Sequence, residues 1–188
     1  GAGSKHGIWH EAIPDDLQRA ECAGLAVTGL HMHIGSGADL NHLATVAESL
    51  EKTARDIGRS LTTISAGGGL PVPYQKGEHR ADLSEYFKLW DATRKRLEDS
   101  FGHRIRLEIE PGRYLTAEAG ILVTEVRAMK RQGSKKYLLV DAGFHTLARP
   151  VLYGSYHPMS LCPTSTTPPH ELEAVAIGGP LCESGDIF

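Results

Sequence analysis

Cysteine is scarce in this 188-residue chain, and Cys22, Cys162 and Cys182 lie too far apart for a disulfide framework or a Cys-x-x-Cys metal site. No apolar run approaches the roughly 18 residues of a membrane-crossing helix. Neither sign of charge dominates. There are 20 basic and 23 acidic residues, for a net charge of -3, and Lys and Arg are scattered, which excludes nucleic-acid binding driven by bulk charge. A basic start followed by an apolar stretch, the mark of a secretory leader, is missing too. These absences predict a reducing, cytoplasmic setting with no membrane and no nucleic acid as partner. No internal repeat or low-complexity tract is found. What is there, 40% hydrophobic and 23% charged residues, suits one ordinary domain or two small ones. The chain opens on Gly1-Ala2-Gly3 rather than on Met and closes on Asp186-Ile187-Phe188, so an internal fragment of a longer protein is expected.

Two textures divide the chain. Between residues 11 and 116, helical and strand-like segments alternate. Ile13-Pro14-Asp15-Asp16 places proline and acids at a helix start, with Gly24 as the stop. Leu25 to Ile34 reads as a buried strand. Leu43, Val46, Leu50, Ala54 and Ile57 share one helical face that ends at Gly58. Leu61 to Ala66 reads as a second strand, closed by Gly67-Gly68-Gly69. Leu83, Phe87, Trp90, Leu97 and Phe101 then repeat near the helical period, with Ser84 as N-cap. Arg106 to Ile109 is a third strand, followed by Glu110-Pro111-Gly112-Arg113. Such alternation predicts a parallel sheet. Beyond residue 120, Gly120 to Met129, Lys136 to Val140 and Ala174 to Ile177 read as strands, Cys162 to His170 as a loop, and no long amphipathic helix follows.

Ligands of parallel α/β folds bind beyond the carboxyl ends of the strands. Three such ends in succession carry unusual residues: His31-Met32-His33-Ile34-Gly35-Ser36-Gly37, Gly67-Gly68-Gly69 and Glu110-Pro111-Gly112-Arg113. Consecutive glycines let backbone N–H groups approach an anion, although a glycine triplet alone reads more readily as a flexible turn. Gly112-Arg113 adds a guanidinium suited to phosphate. His31 and His33 are expected to aim to opposite sides of their strand, His31 as a hydrogen-bonded core residue and His33 as a flat surface for a ring. A zinc pair would need further ligands, and Glu110 is the only obvious one, so no metal is expected. Glu110 could simply pair with Arg113. A carboxylate there has another use, keeping the ring nitrogen of pyridoxal 5'-phosphate (PLP) protonated, which suits decarboxylation.

Together these stretches resemble the alanine-racemase-like, fold type III PLP-dependent decarboxylases. The matching runs are Ser4-Lys5-His6-Gly7-Ile8-Trp9, His31 to Gly37, Gly67 to Pro71 and Glu110 to Arg113. Beyond them come Asp141-Ala142-Gly143, Arg149 to His157, and Gly179-Pro180-Leu181-Cys182-Glu183-Ser184-Gly185-Asp186. The resemblance implies an α/β fold: the C-terminal half of a (β/α)8 TIM-type barrel over residues 1–117, then part of a β-rich domain over 118–188. It implies decarboxylation of meso-2,6-diaminopimelate to L-lysine, with His33 against the cofactor ring and Glu110 on its nitrogen. Ser36, Gly67, Gly68, Gly69, Gly112 and Arg113 would hold the phosphate. Arg113, Arg149 and Tyr153 would grip the distal carboxylate of the substrate and Glu183 its distal ammonium. Cys182 would protonate the reacting carbon from a neighbouring subunit of a homodimer.

The family's cofactor-bearing lysine, in a Tyr-x-x-Lys context, has no counterpart among the eight lysines here, so the chain alone is expected to be inactive. Arginine or D-amino-acid decarboxylation, a non-catalytic binding or dimerisation module, and a metal hydrolase are the alternatives.

Overall fold

The structure, a computed structural model, describes residues 3–33, 40–58, 60–163 and 173–188. It divides into two compact units: Gly1–Val72 with Arg80–Ala119, and Pro73–His79 with Gly120–Phe188. Among the described residues no helix is long and apolar enough to cross a membrane.

In the first unit, a 3-10 turn at His10–Ala12 leads into helix α1, Ile13–Cys22. Pro14 sits in its first turn, where a missing N–H leaves no helical bond unmade. Strands β1 (Gly29–His31), β2 (Thr63–Ser65) and β3 (Arg106–Glu108) are parallel and lie in that order. Helices α2 (Leu40–Ile57) and α3 (Leu83–Phe101) connect them. The register aligns Leu30, Ile64 and Leu107 in one row across the sheet. That row packs with Leu43, Val46, Ala47, Leu50 and Ala54 of α2 and with Trp90, Leu97 and Phe101 of α3 in one apolar core. The rows on either side, Gly29-Thr63-Arg106 and His31-Ser65-Glu108, therefore turn to the opposite face, because side chains alternate along a strand. Burial of apolar area is what fixes this register, since a slip of one residue would exchange the two faces.

Two details of α3 differ from the sequence reading. The N-cap is Asp82, not Ser84: its Oδ1 accepts the N–H groups of Ser84 (2.9 Å) and Glu85 (3.1 Å). A carboxylate is the better cap because it also meets the positive end of the helix dipole. The buried face runs Tyr86, Trp90, Thr93, Leu97 and Phe101, leaving Leu83 and Phe87 exposed. The helix ends at Gly102, whose left-handed conformation (φ 77°) lets its N–H reach Glu98 O. The first strand is also shorter than the apolar run from Leu25 to Ile34. Residues 34–39 lie outside the described set, and Leu25 is exposed. Helix α4, Gly112–Thr116, starts where only a turn was expected.

The second unit holds the hairpin β4 (Val126–Gln132) and β5 (Lys135–Val140), with β6 (Ala176–Gly178) added parallel to β5. The strand expected from Gly120 begins only at Val126. Upstream, Asp141 takes the Thr124 hydroxyl (2.6 Å) and the Glu125 N–H (2.9 Å), so side-chain acceptors replace the ladder there. Those two bonds hold the Asp141 carboxyl below its ordinary pKa, the Thr124 contact being the larger cause. A short helix unseen in the sequence, α5 (Arg149–Tyr153), lies between β5 and β6.

Candidate active site

The carboxyl ends of β1, β2 and β3 are drawn together by backbone bonds that outlast the strands. Met32 N–H donates to Ser65 O (3.2 Å), Ala66 N–H to Glu108 O (2.9 Å) and Glu110 N–H to Gly67 O (2.8 Å). Gly67 and Gly68, both buried, sit between the two flanking strand ends. A Cβ on Gly68 would stand 2.8 Å from Glu110 O and 2.9 Å from His33 Cε1, and one on Gly67 would overlap Met32 O. Only glycine permits so close an approach. Gly69 continues the turn at φ 100°.

Two histidines meet this junction. The Gly68 N–H donates to His33 Nδ1 at 3.1 Å, so Nδ1 presents its lone pair and the ring proton belongs on Nε2. His31 Nε2 lies 3.1 Å from Glu110 Oε2. The expectation that His31 and His33 aim apart is corrected: residues two apart share a strand face, and both rings arrive beside the Gly67–Gly68 and Glu110 ends. His31 is not a core residue either, since its side chain is 47% exposed and that of Glu110 61%. Solvent screening makes the pair a weak contributor to stability. It fixes one carboxylate oxygen and leaves Oε1 open. The anticipated Glu110–Arg113 ion pair does not form. Gly112 and Arg113 open α4, and no ion pair or hydrogen bond engages the Arg113 guanidinium among the described residues. Ser36 falls outside the described residues.

The second unit gathers a separate group. Arg149, at the start of α5, donates from Nη2 to Ser155 Oγ (3.0 Å). Its guanidinium carbon stands 5.7 Å from the Tyr153 ring and 5.9 Å from the Tyr74 ring, within cation–π range. Tyr74 also meets His157 edge-on, with centroids 5.4 Å apart. Arg149 Nε and His157 Nε2 are buried without a partner among the described residues. Burial, and secondarily the nearby Arg149 charge, push the His157 pKa down, disfavouring the charged imidazolium. An unsatisfied guanidinium framed by aromatic faces is suited to an incoming carboxylate. Cys182 and Glu183 are exposed on the turn after β6. That turn abuts α5, since a Cβ on Gly185 would lie 3.1 Å from Val151 Cγ2. Sequence reasoning gave Tyr74 and His157 no role. Their only signals are a tyrosine behind Pro71-Val72-Pro73 and a histidine within an otherwise matched run.

Residues 1–117 match the family described as pyridoxal-dependent decarboxylase, pyridoxal binding domain. The chain belongs to the pyridoxal-dependent decarboxylases. Over its whole length it is 51% identical to a diaminopimelate decarboxylase of Streptomyces coelicolor, of which it covers 43%. A crystal structure of a diaminopimelate decarboxylase superposes on the full chain with a TM-score of 0.94 at 46% identity, 45% of that protein being covered. A point mutant of the Helicobacter pylori diaminopimelate decarboxylase, complexed with L-lysine, matches 99% of the chain with a TM-score of 0.83 at 29% identity, again over 45% of its length. The chain therefore spans under half the length of these relatives. The resemblance drawn from the loop motifs is thus borne out at the level of the family.

Proposed function

We propose that this chain carries the PLP pocket and most of the substrate contacts of a decarboxylase that converts meso-2,6-diaminopimelate to L-lysine and carbon dioxide. The observation behind this reading is the meeting of His33, Gly67, Gly68 and Glu110 at one end of a parallel sheet, inside the family's pyridoxal-binding stretch. The donor set suits the cofactor: an uncommitted guanidinium at Arg113, a carboxylate with one free oxygen at Glu110, and an exposed imidazole at His33. When bound, PLP supplies the electron-poor ring that accepts the electron pair released as carbon dioxide departs. In this reading residues 1–117 are part of a (β/α)8 barrel and 118–188 part of a β domain, in a cytoplasmic homodimer that shares its active sites.

The roles follow from charge and shape. Glu110 Oε1 would accept a hydrogen bond from the ring N–H and so keep that nitrogen protonated, while His31 steadies Oε2. His33 offers its ring face for stacking. Ser36, Gly67, Gly68, Gly69, Gly112 and Arg113 hold the phosphate. Arg113, Arg149 and Tyr153 bind the distal carboxylate, Glu183 binds the distal ammonium, and Cys182 of a partner subunit delivers the proton from Sγ to the carbon that has lost carbon dioxide. A diaminopimelate keeps a complete amino-acid head at its unreactive end, which requires cation and anion together.

Carbon dioxide release by a complete enzyme containing this chain, with meso-diaminopimelate, arginine and ornithine as competing substrates, is the test. The diaminopimelate should be preferred, Glu110→Gln should lower kcat about a hundredfold or more, and Arg149→Lys should raise KM for the diaminopimelate alone. Equal turnover of substrates without a distal carboxylate would remove the substrate assignment, and an unaffected Glu110→Gln variant would remove the cofactor pocket.

A further inference from the structure

Asp186 is the most deeply buried carboxylate described in the second unit, 3% exposed, and no cation faces it in any ion pair among the described residues. Its two oxygens are instead divided between two turns. Oδ1 accepts the Phe144 N–H (2.7 Å) and Oδ2 accepts the Leu181 N–H (2.8 Å). Its backbone closes the same loop: Asp186 N–H donates to Glu183 O (3.0 Å), and its O accepts the Gly179 N–H (2.9 Å). One residue thus ties the start, the middle and the end of the 179–186 turn, and anchors that turn to Phe144 beside Gly143.

Two glycines reveal how closely the carboxylate is enclosed. Neither Gly143 nor Gly179 has a positive φ, so backbone conformation does not demand glycine at either position. A Cβ on Gly143 would lie 2.7 Å from Asp186 Oδ1, and one on Gly179 would overlap Oδ2. In both cases the three nearest heavy atoms belong to the Asp186 carboxylate. The glycines are there to leave room for this side chain.

We propose that Asp186 is a positioning residue: its carboxylate clamps the 179–186 turn against residues 142–144 and so sets where Cys182 and Glu183 are presented. This rests on the roles proposed above for Cys182 and Glu183. Charge-assisted bonds to two backbone N–H groups are short and directional, so the clamp defines the turn more tightly than a neutral acceptor would. An amide at this position retains the volume but turns a donor toward one of the two N–H groups, leaving a buried polar group unmatched.

The test is made in a complete enzyme containing this chain, saturated with PLP and assayed well below its thermal midpoint. Asp186→Asn should lower kcat about tenfold or more and raise KM, because a turn displaced by an ångström misplaces both groups. Gly179→Ala should likewise impair turnover when Asp186 is present. Gly179→Ala combined with Asp186→Ser should be no worse than Asp186→Ser alone, since the added methyl then occupies vacated space. A thermal midpoint measured for each variant shows the same non-additive pattern even if turnover is low. Wild-type kcat and KM in Asp186→Asn, or additive effects of Gly179→Ala and Asp186→Ser, would overturn the proposal. Cys182→Ser and Glu183→Gln are assayed in parallel. If both behave as wild type, the reading of the turn falls and the inference with it; if both are impaired while Asp186→Asn is not, the inference alone falls.

Discussion

Gly68 is buried, has no positive φ, and faces Glu110 O and His33 Cε1 across distances that exclude a methyl group. Gly68→Ala should therefore cost about 1–3 kcal/mol through overpacking alone, read as a lowered thermal midpoint. An unaltered midpoint would mean that the strand ends do not close as described. His157 allows a pH prediction. Its folded pKa is depressed by burial and then by Arg149, so the unfolded chain binds a proton at a higher pH than the folded one. Stability should hold above the ordinary histidine value, roughly 6.5, and fall as pH drops through that value toward the depressed one. Denaturation profiles should lose that slope in a His157→Gln variant; an unchanged slope would place its origin elsewhere. At this scale the sequence was informative where chemistry required a rare residue. The glycine triplet, His33 and Glu110 stand at strand ends in both readings. It was silent on Tyr74 and on the clamping role of Asp186, because those depend on which distant segments meet.

Helices α2 and α3 are joined by a charge cluster as well as by their apolar faces. Glu51 of α2 binds Arg55 on its own helix (2.7 Å) and Arg96 of α3 (2.7 Å). Burial alone would raise the Glu51 pKa, but the two guanidinium groups outweigh it and the net direction is down. The cluster therefore stabilises the fold above the ordinary glutamate pKa and loses that contribution as pH falls through the folded value. Glu51→Gln should cost about 1 kcal/mol at neutral pH and flatten the acid limb of a stability profile, measured by denaturant unfolding at several pH values. Helix faces were legible from sequence, since apolar residues at helical spacing must be buried together. Which residue begins or completes a face was less so. Asp82 outcompetes Ser84 as cap, and Tyr86 and Thr93 take the inward positions that Phe87 and Leu83 do not. Short helices such as α5 carry too few residues to show a period.

For the whole chain, the lysines matter most. Lys52, Lys88 and Lys95 are held by Asp56, Glu85 and Asp91 on helix exteriors, and Lys136 by Glu173. None of the eight lies on β1, β2 or β3. The 188-residue chain by itself should release no carbon dioxide from meso-diaminopimelate and show no visible absorbance from lysine-linked PLP. Either signal would mean that one of these lysines serves as the tether. The two units also interleave along the backbone, because residues 73–79 group with 120–188 although they come between parts of the first unit. No single cut can therefore excise the second unit intact. A truncation beginning at Gly120 would strip Tyr74 from Arg149 and His157, so any dissection of this protein into halves must graft the 73–79 strip back onto the later half.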